Sequence, residues 1–171
     1  MLYHGTVFEG LTVIKANTKS HTTGRMVAYF TEDRCYALVC CRKKSEDFVT
    51  MGLNKDGKQH YYERFPDQLR VLYEGKRGYI YENETSSTLI NTKGHTWESE
   101  ADVPAHLHEV VEDVYAEILK EEQAGNIIIH RYADINPKKQ KENANYLKEH
   151  MGDQGEEMRQ FYLAHFSELW D

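Results

Sequence analysis

Residues 1–30 read MLYHGTVFEGLTVIKANTKSHTTGRMVAYF. The short run Leu2-Tyr3-His4-Gly5-Thr6 predicts a strand within residues 1–8. A polar, irregular passage follows, with Val13 and Ile14 as its apolar anchors and His21-Thr22-Thr23-Gly24 as a turn. A second strand is then predicted over 27–31, Val27-Ala28-Tyr29-Phe30-Thr31. Two strands joined by a long loop, one closing on His-Gly-Thr and the other bearing an aromatic pair, outline a small-molecule pocket. His4 would face the core or that pocket. Gly5 leaves the main chain open to a flat ligand, and Thr6 adds a hydroxyl. Tyr29 can stack on a ring, a contact worth about 0.5–1.5 kcal/mol beyond area burial.

The chain outward from this stretch alternates in character. Thr31 sits where an N-cap belongs, with Glu32 and Asp33 behind it, and a helix is predicted over 32–43. It is apolar nearly all round from Cys35 to Cys41, the mark of a buried helix. Strands are predicted at Phe48–Met51 and His60–Glu63, joined by the turn Asn54-Lys55-Asp56-Gly57. Further strands are predicted at Leu69–Tyr73, Gly78–Tyr81, Leu89–Ile90 and Thr96–Val103. From Pro104, the spacing of Leu107, Val110, Val111, Val114 and Ile118 predicts one amphipathic helix closed by Gly125. A strand over 126–132 precedes two helices, roughly 137–151 and 154–169, parted by Gly152-Asp153-Gln154-Gly155. The expected fold is α+β in a single domain, 1–171. Its core occupies 1–132, and a helical extension, 133–171, packs on it.

Composition narrows the function. A chain of 171 residues with 40% hydrophobic and 29% charged residues is that of an ordinary globular domain. The longest apolar run, Tyr36 to Cys41, is far too short to cross a bilayer. No basic segment precedes a continuous apolar stretch at the N-terminus, so a cytoplasmic location is expected. The net charge of −7 opposes a phosphate backbone and argues against nucleic acid. The basic runs Arg42-Lys43-Lys44 and Lys138-Lys139-Gln140-Lys141 each read as a solvated helix end or an exposed face. Cys35, Cys40 and Cys41 form neither a disulfide framework nor spaced metal-ligand pairs, and read as reduced, buried thiols. With no His-Glu-x-x-His present, no metal is expected. His108 and Glu112 are placed to meet on a helix face, while His60, His95, His150 and His165 stand without neighbours.

Taken together, LYHGT at 2–6, a loop with Gly24, and VAYFTED at 27–33 leading into Arg34-Cys35-Tyr36-Ala37-Leu38 resemble the ADP-ribosyltransferase superfamily. The resemblance is to its His-Tyr-Glu branch, which includes diphtheria toxin and the poly-ADP-ribose polymerases. The run GYIYE, 78–82, is similar to a strand of bacterial members. The resemblance implies a split antiparallel sheet and NAD as substrate. It further implies that His4 bonds the adenosine ribose, that Gly5, with Thr6 beside it, holds the nicotinamide carboxamide, and that Tyr29, paired with Phe30, stacks on the nicotinamide. A second tyrosine of that branch falls about eleven residues after the first. Here that position is Cys40, with Tyr36 earlier on the same helix and Tyr81 as a candidate for the second face.

Cleavage of an N-glycosidic bond passes through an oxocarbenium-like state, which a fixed carboxylate stabilises. Trp97-Glu98-Ser99-Glu100 offers two carboxylates on one face of a strand by its two-residue period. Glu100, preceded by Ser99 as in the family's local pattern, ranks first and Glu98 second. The bland alternative makes both exposed residues of an edge strand. The expected activity is transfer of ADP-ribose from NAD, or hydrolysis of NAD. The rival is a non-catalytic interaction module, with Phe161, Tyr162, Phe166 and Trp170 as a homodimer surface or as core. An RNA 2′-phosphotransferase-like activity would need a phosphate-binding set, for which Arg25, Arg70 and Arg131 are scattered candidates.

Overall fold

The computed structural model describes residues 1–43, 49–84, 88–151 and 155–167. The fold is α+β. Chain contacts divide it into two compact units, 1–42 with 75–119 and 43–74 with 120–171. No helix among the described residues is long and apolar enough to cross a membrane.

The first unit is built on an antiparallel sheet. Its strands are β1 (Leu2–Thr6), β3 (Thr18–Lys19), β4 (Met26–Thr31), β7 (Gly78–Asn83), β8 (Ile90–Lys93), β9 (Thr96–Ser99) and β11 (His106–Val111). Their order is β11-β7-β1-β4-β9-β8, with β3 beside β4. The pair β2 (Val13–Ile14) and β10 (Val103–Pro104) forms a separate ribbon. Strand alternation sends Leu2, Ala28, Phe30, Tyr79 and Tyr81 to one face, where they form a core cluster with Ile14, Leu89, Val103 and Ala105. On the other face lies α1 (Arg34–Val39), with buried Ala37, Leu38 and Val39.

The helix α1 rests directly on β1. A Cβ on Gly5 would stand 1.7 Å from the Ala37 carbonyl oxygen, so no larger residue fits. Gly78 performs a similar service, since a Cβ there would meet Val114 Cγ2 at 2.7 Å and Cys41 Sγ at 2.9 Å. The helix is shorter than 32–43, and its N-cap is Asp33, not Thr31. The Asp33 carboxylate accepts from the Tyr36 N–H at 3.0 Å, while the Thr31 hydroxyl accepts from the Asp33 N–H at 3.1 Å. Thr31 continues the strand instead. Cys35 and Cys41 are buried free thiols, and burial pushes the Cys41 pKa up to about 12.

Residues 104–124 correct the expectation of one helix. They form β10, β11 and then α3 (Val114–Gln123). A bulge between Leu107 and Glu109, paired to Tyr81 and Ile80, adds one residue to the two-residue alternation. The apolar spacing over 107–111 thereby imitates a helical period. Leu107 is 52% exposed, so it was never the inner face of a helix. His108 consequently meets Glu82 at 2.7 Å, not Glu112, whose carboxylate takes Arg77. The helix starts only after Asp113, whose carboxylate accepts from the Ala116 N–H.

The second unit carries β5 (Thr50–Leu53), β6 (Gln59–Tyr62) and β12 (Ile127–His130), in the order β12-β6-β5. The Asn54–Gly57 hairpin forms as expected, with Gly57 at φ +77°, while β12 runs parallel to β6. Phe48, at the head of the predicted strand, lies outside the described residues. Residues 68–73 are helix α2 (Gln68–Tyr73), not a strand. Leu69, Leu72 and Tyr73 are buried and Val71 is 37% exposed, a 3.6-residue pattern that a short apolar run conceals. The Glu63 carboxylate secures the start, accepting from the Leu69 N–H at 3.0 Å and the Tyr132 N–H at 2.9 Å.

Two helices close the unit, α4 (Pro137–His150) and α5 (Glu156–His165). Pro137 follows the N-cap Asn136, where a missing N–H costs nothing. Lys44, Ser86, Ser87, Gly152-Asp153-Gln154, Leu169 and Trp170 lie outside the described residues. Tyr162 and Phe166 pack with Phe65 and Leu147, with Phe161 and Met158 against them. The aromatic residues Phe161, Tyr162 and Phe166, considered for a dimer surface, therefore belong to a core cluster.

Candidate functional site

The strands β1 and β4 pair at a single position, Tyr3 with Thr31. Beyond it the ladder is not continued, so His4, Gly5 and Thr6 face Phe30, Tyr29 and Ala28 across an opened seam. On its other edge β1 pairs fully with β7, from Leu2–Asn83 to Thr6–Tyr79. The seam is spanned by a side chain. His4 Nδ1 lies 2.8 Å from the Tyr29 carbonyl oxygen. A carbonyl only accepts, so Nδ1 carries the proton and Nε2 is the acceptor. Burial lowers the His4 pKa from its ordinary 6.5, with the Tyr29 carbonyl pulling the other way. The imidazole is neutral at pH 7.

That depressed pKa predicts a pH dependence. As pH falls, the unfolded chain binds the proton before the folded one does. Stability is fullest above about pH 6.5 and declines as pH drops toward the folded value. The urea midpoint is expected to fall between about pH 7.5 and 5.5, and His4→Gln to flatten that fall. A slope unchanged by the substitution would show that His4 does not contribute.

The sequence candidates do not share one role. Tyr29 and Glu98 stand directly opposite in the β4–β9 ladder, which places their Cβ atoms roughly 4.5–5.5 Å apart on the α1 face. Glu98 is 5% exposed, and its carboxylate has no hydrogen-bond or ion-pair partner among the described residues. Its oxygens are not among the buried polar atoms left without a partner, so the carboxylate of this largely buried residue keeps contact with solvent. The Tyr29 hydroxyl accepts from the His21 N–H at 3.2 Å.

Tyr36, on α1, is the near aromatic that the sequence left unassigned. Burial chiefly pushes its phenol up to about 12, with Cys40 and Tyr29 among the neighbours that act on it. The ring of His95 meets Tyr36 edge-on at 4.9 Å. The eleven-residue spacing misses Tyr36; a helical wheel started at Asp33 would have raised it.

Five candidates make packing or pairing contacts of their own. Glu100 lies past the end of β9, so strand alternation does not carry it to the face of Glu98. It is exposed and paired with Arg25 at 2.5 Å. Phe30 is 2% exposed in the core cluster, with His4 5.7 Å from its ring. Tyr81 is core on the same face, its hydroxyl donating to the Phe8 carbonyl at 3.0 Å and accepting from the Leu11 N–H at 3.1 Å. It pins the loop after β1. Gly5 is explained by the Ala37 carbonyl. Thr6 is buried, and its hydroxyl accepts from the Phe8 N–H.

Arg25, Arg70 and Arg131 each meet a carboxylate, of Glu100, Asp67 and Glu122 respectively. The Arg25 and Arg70 pairs are solvent-exposed, and Arg131 Nη1 is buried without a hydrogen-bond partner among the described residues. Among the described residues, no three His, Cys, Asp or Glu side chains are grouped to hold a metal ion. His60 does have company: Asp56 and His130 lie within hydrogen-bond distance. Parallel pairing of β12 with β6 brings them together, and that register is invisible in sequence.

Comparison with protein-family profiles, with curated proteins and with solved structures finds no match to this chain.

Proposed function

We propose that the first unit binds NAD and breaks its nicotinamide–ribose bond, passing ADP-ribose to an acceptor or to water. The observation that carries this reading is Glu98, a largely buried residue whose solvent-reaching carboxylate has no partner among the described residues, set opposite Tyr29 beside the opened β1–β4 seam. In this reading the ring of Tyr29 stacks on the nicotinamide, and the Gly5 main chain holds the carboxamide. The neutral His4 accepts from a ribose hydroxyl through Nε2. Glu98 faces the ribose at the scissile bond, where positive charge develops as nicotinamide leaves. A fixed carboxylate lowers that barrier because its orientation is set before the reaction begins.

A second reading has its own support. Gly5, Phe30 and Tyr81 are each fully explained by packing or by loop anchoring. Those residues suit a non-catalytic NAD-binding or interaction module equally well. Incubation with NAD labelled in the nicotinamide, alongside calorimetric titration with NAD, separates the two. Release of labelled nicotinamide supports the enzyme. Binding without release supports the module, and silence in both assays removes NAD.

A further inference from the structure

The second unit holds a cluster that the NAD reading does not use. Asp56, in the hairpin turn, has Oδ2 2.9 Å from His60 Nε2. A carboxylate accepts, so His60 carries its proton on Nε2 and, when neutral, offers a lone pair at Nδ1. That lone pair lies 2.8 Å from His130 Nε2, which must donate. His130 Nδ1 is then the bare nitrogen, and no described residue bonds to it. Tyr62 lies flat on the His130 ring, 4.2 Å away and 4° from parallel, and its hydroxyl accepts from Asn54 Nδ2. The ring plane is thereby held.

The surroundings leave the chain of imidazoles intact. The strand β5 sets Thr50 and Gly52 opposite Tyr62 and His60, and β12 sets Ile128 opposite His60. Thr50, Gly52 and Ile128 do not titrate. A Cβ at Gly52 would meet nothing within 4 Å, so there is open space on that side. Lys58 carries its ammonium toward Gly125, and Arg64 is engaged by the Thr50 hydroxyl and the Tyr146 ring.

We propose that Asp56, His60 and His130 form a relay that makes His130 Nδ1 a nucleophile toward activated acyl groups. The logic is that of a nucleophile with a base behind it, oriented in turn by a third group. The Nδ1 lone pair attacks the acyl carbon, and the bond from that carbon to the leaving-group oxygen breaks with its electron pair. The Nε2 proton of His130, made acidic by acylation, moves to His60 Nδ1. The His60 cation so formed is paired with the Asp56 carboxylate. Burial and the neighbouring His60 hold His130 below the ordinary imidazole pKa, which keeps it neutral and reactive near pH 7.

Diethyl pyrocarbonate supplies the activated acyl group, and peptide mapping by mass spectrometry reads each histidine. His130 is expected to be modified about tenfold faster than the exposed His106, with Asp56→Asn and His60→Gln removing about that factor, the low end of positioned proton transfer. His106 serves as the internal control and should not respond. Asp56 is exposed in a turn, so Asp56→Asn leaves the fold in place, checked by circular dichroism. Imidazole ¹⁵N spectra should show the proton of His130 on Nε2. Modification no faster than at His106, rates indifferent to both substitutions, or the opposite tautomer would each overturn the proposal.

Discussion

Glu98→Gln is expected to slow nicotinamide release from NAD by about 10²–10³, the loss typical of one preorganised group that meets charge only in the transition state. Gln matches Glu in shape and keeps the ladder position opposite Tyr29, so binding should change far less than turnover. The result to look for is a drop in kcat with little change in the calorimetric affinity for NAD. Glu100→Gln is the paired control. Its carboxylate is exposed and held by Arg25, and its removal should leave kcat within about twofold, as for an exposed ion pair. If Glu100→Gln abolished release while Glu98→Gln did not, the catalytic assignment would move to Glu100. The partnerless carboxylate of Glu98 would then need another explanation.

Gly5→Ala should be severely destabilising. Its Cβ would fall 1.7 Å from the Ala37 carbonyl oxygen, well inside van der Waals contact, and the obstacle is backbone, not a side-chain tip that can swing away. Either β1 or α1 must shift, and both belong to the sheet-and-helix contact on which Tyr29 and Tyr36 are mounted. We expect a loss of about 3 kcal/mol or more, at the upper end of overpacking costs, read as a lowered urea midpoint. Gly52→Ala, with open space around its Cβ, is the comparison and should cost about 1 kcal/mol at most. Equal effects at the two glycines would mean that α1 does not lie against β1 as described.

These two results bear on different claims. Glu98 tests chemistry, while Gly5 tests the packing that positions it. A stable Glu98→Gln protein with normal turnover would remove Glu98 from the chemistry and leave the fold untouched. The pH dependence assigned to His4 tests a third point, that its imidazole is held neutral across the seam.

What the sequence alone determined is local. The strands at 2–6 and 26–31, the hairpin at Asn54–Gly57 and the helices from Pro137 and near Glu156 follow from turn residues, caps and clear periods. The tertiary structure decided what those rules leave degenerate. The bulge at 107–109 made a strand look like a helix, because one inserted residue converts a two-residue period into something near 3.6. Short apolar runs such as 69–73 satisfy both periods until burial is known.

The proposed choice of Glu98 over Glu100 rests on where β9 stops, and the packing role of Gly5 on which backbone lies over it. The meeting of His60 with His130 depended on a parallel register between strands far apart in sequence. Each of these is a long-range pairing, set by which surfaces are buried together, and no window of neighbouring residues contains it.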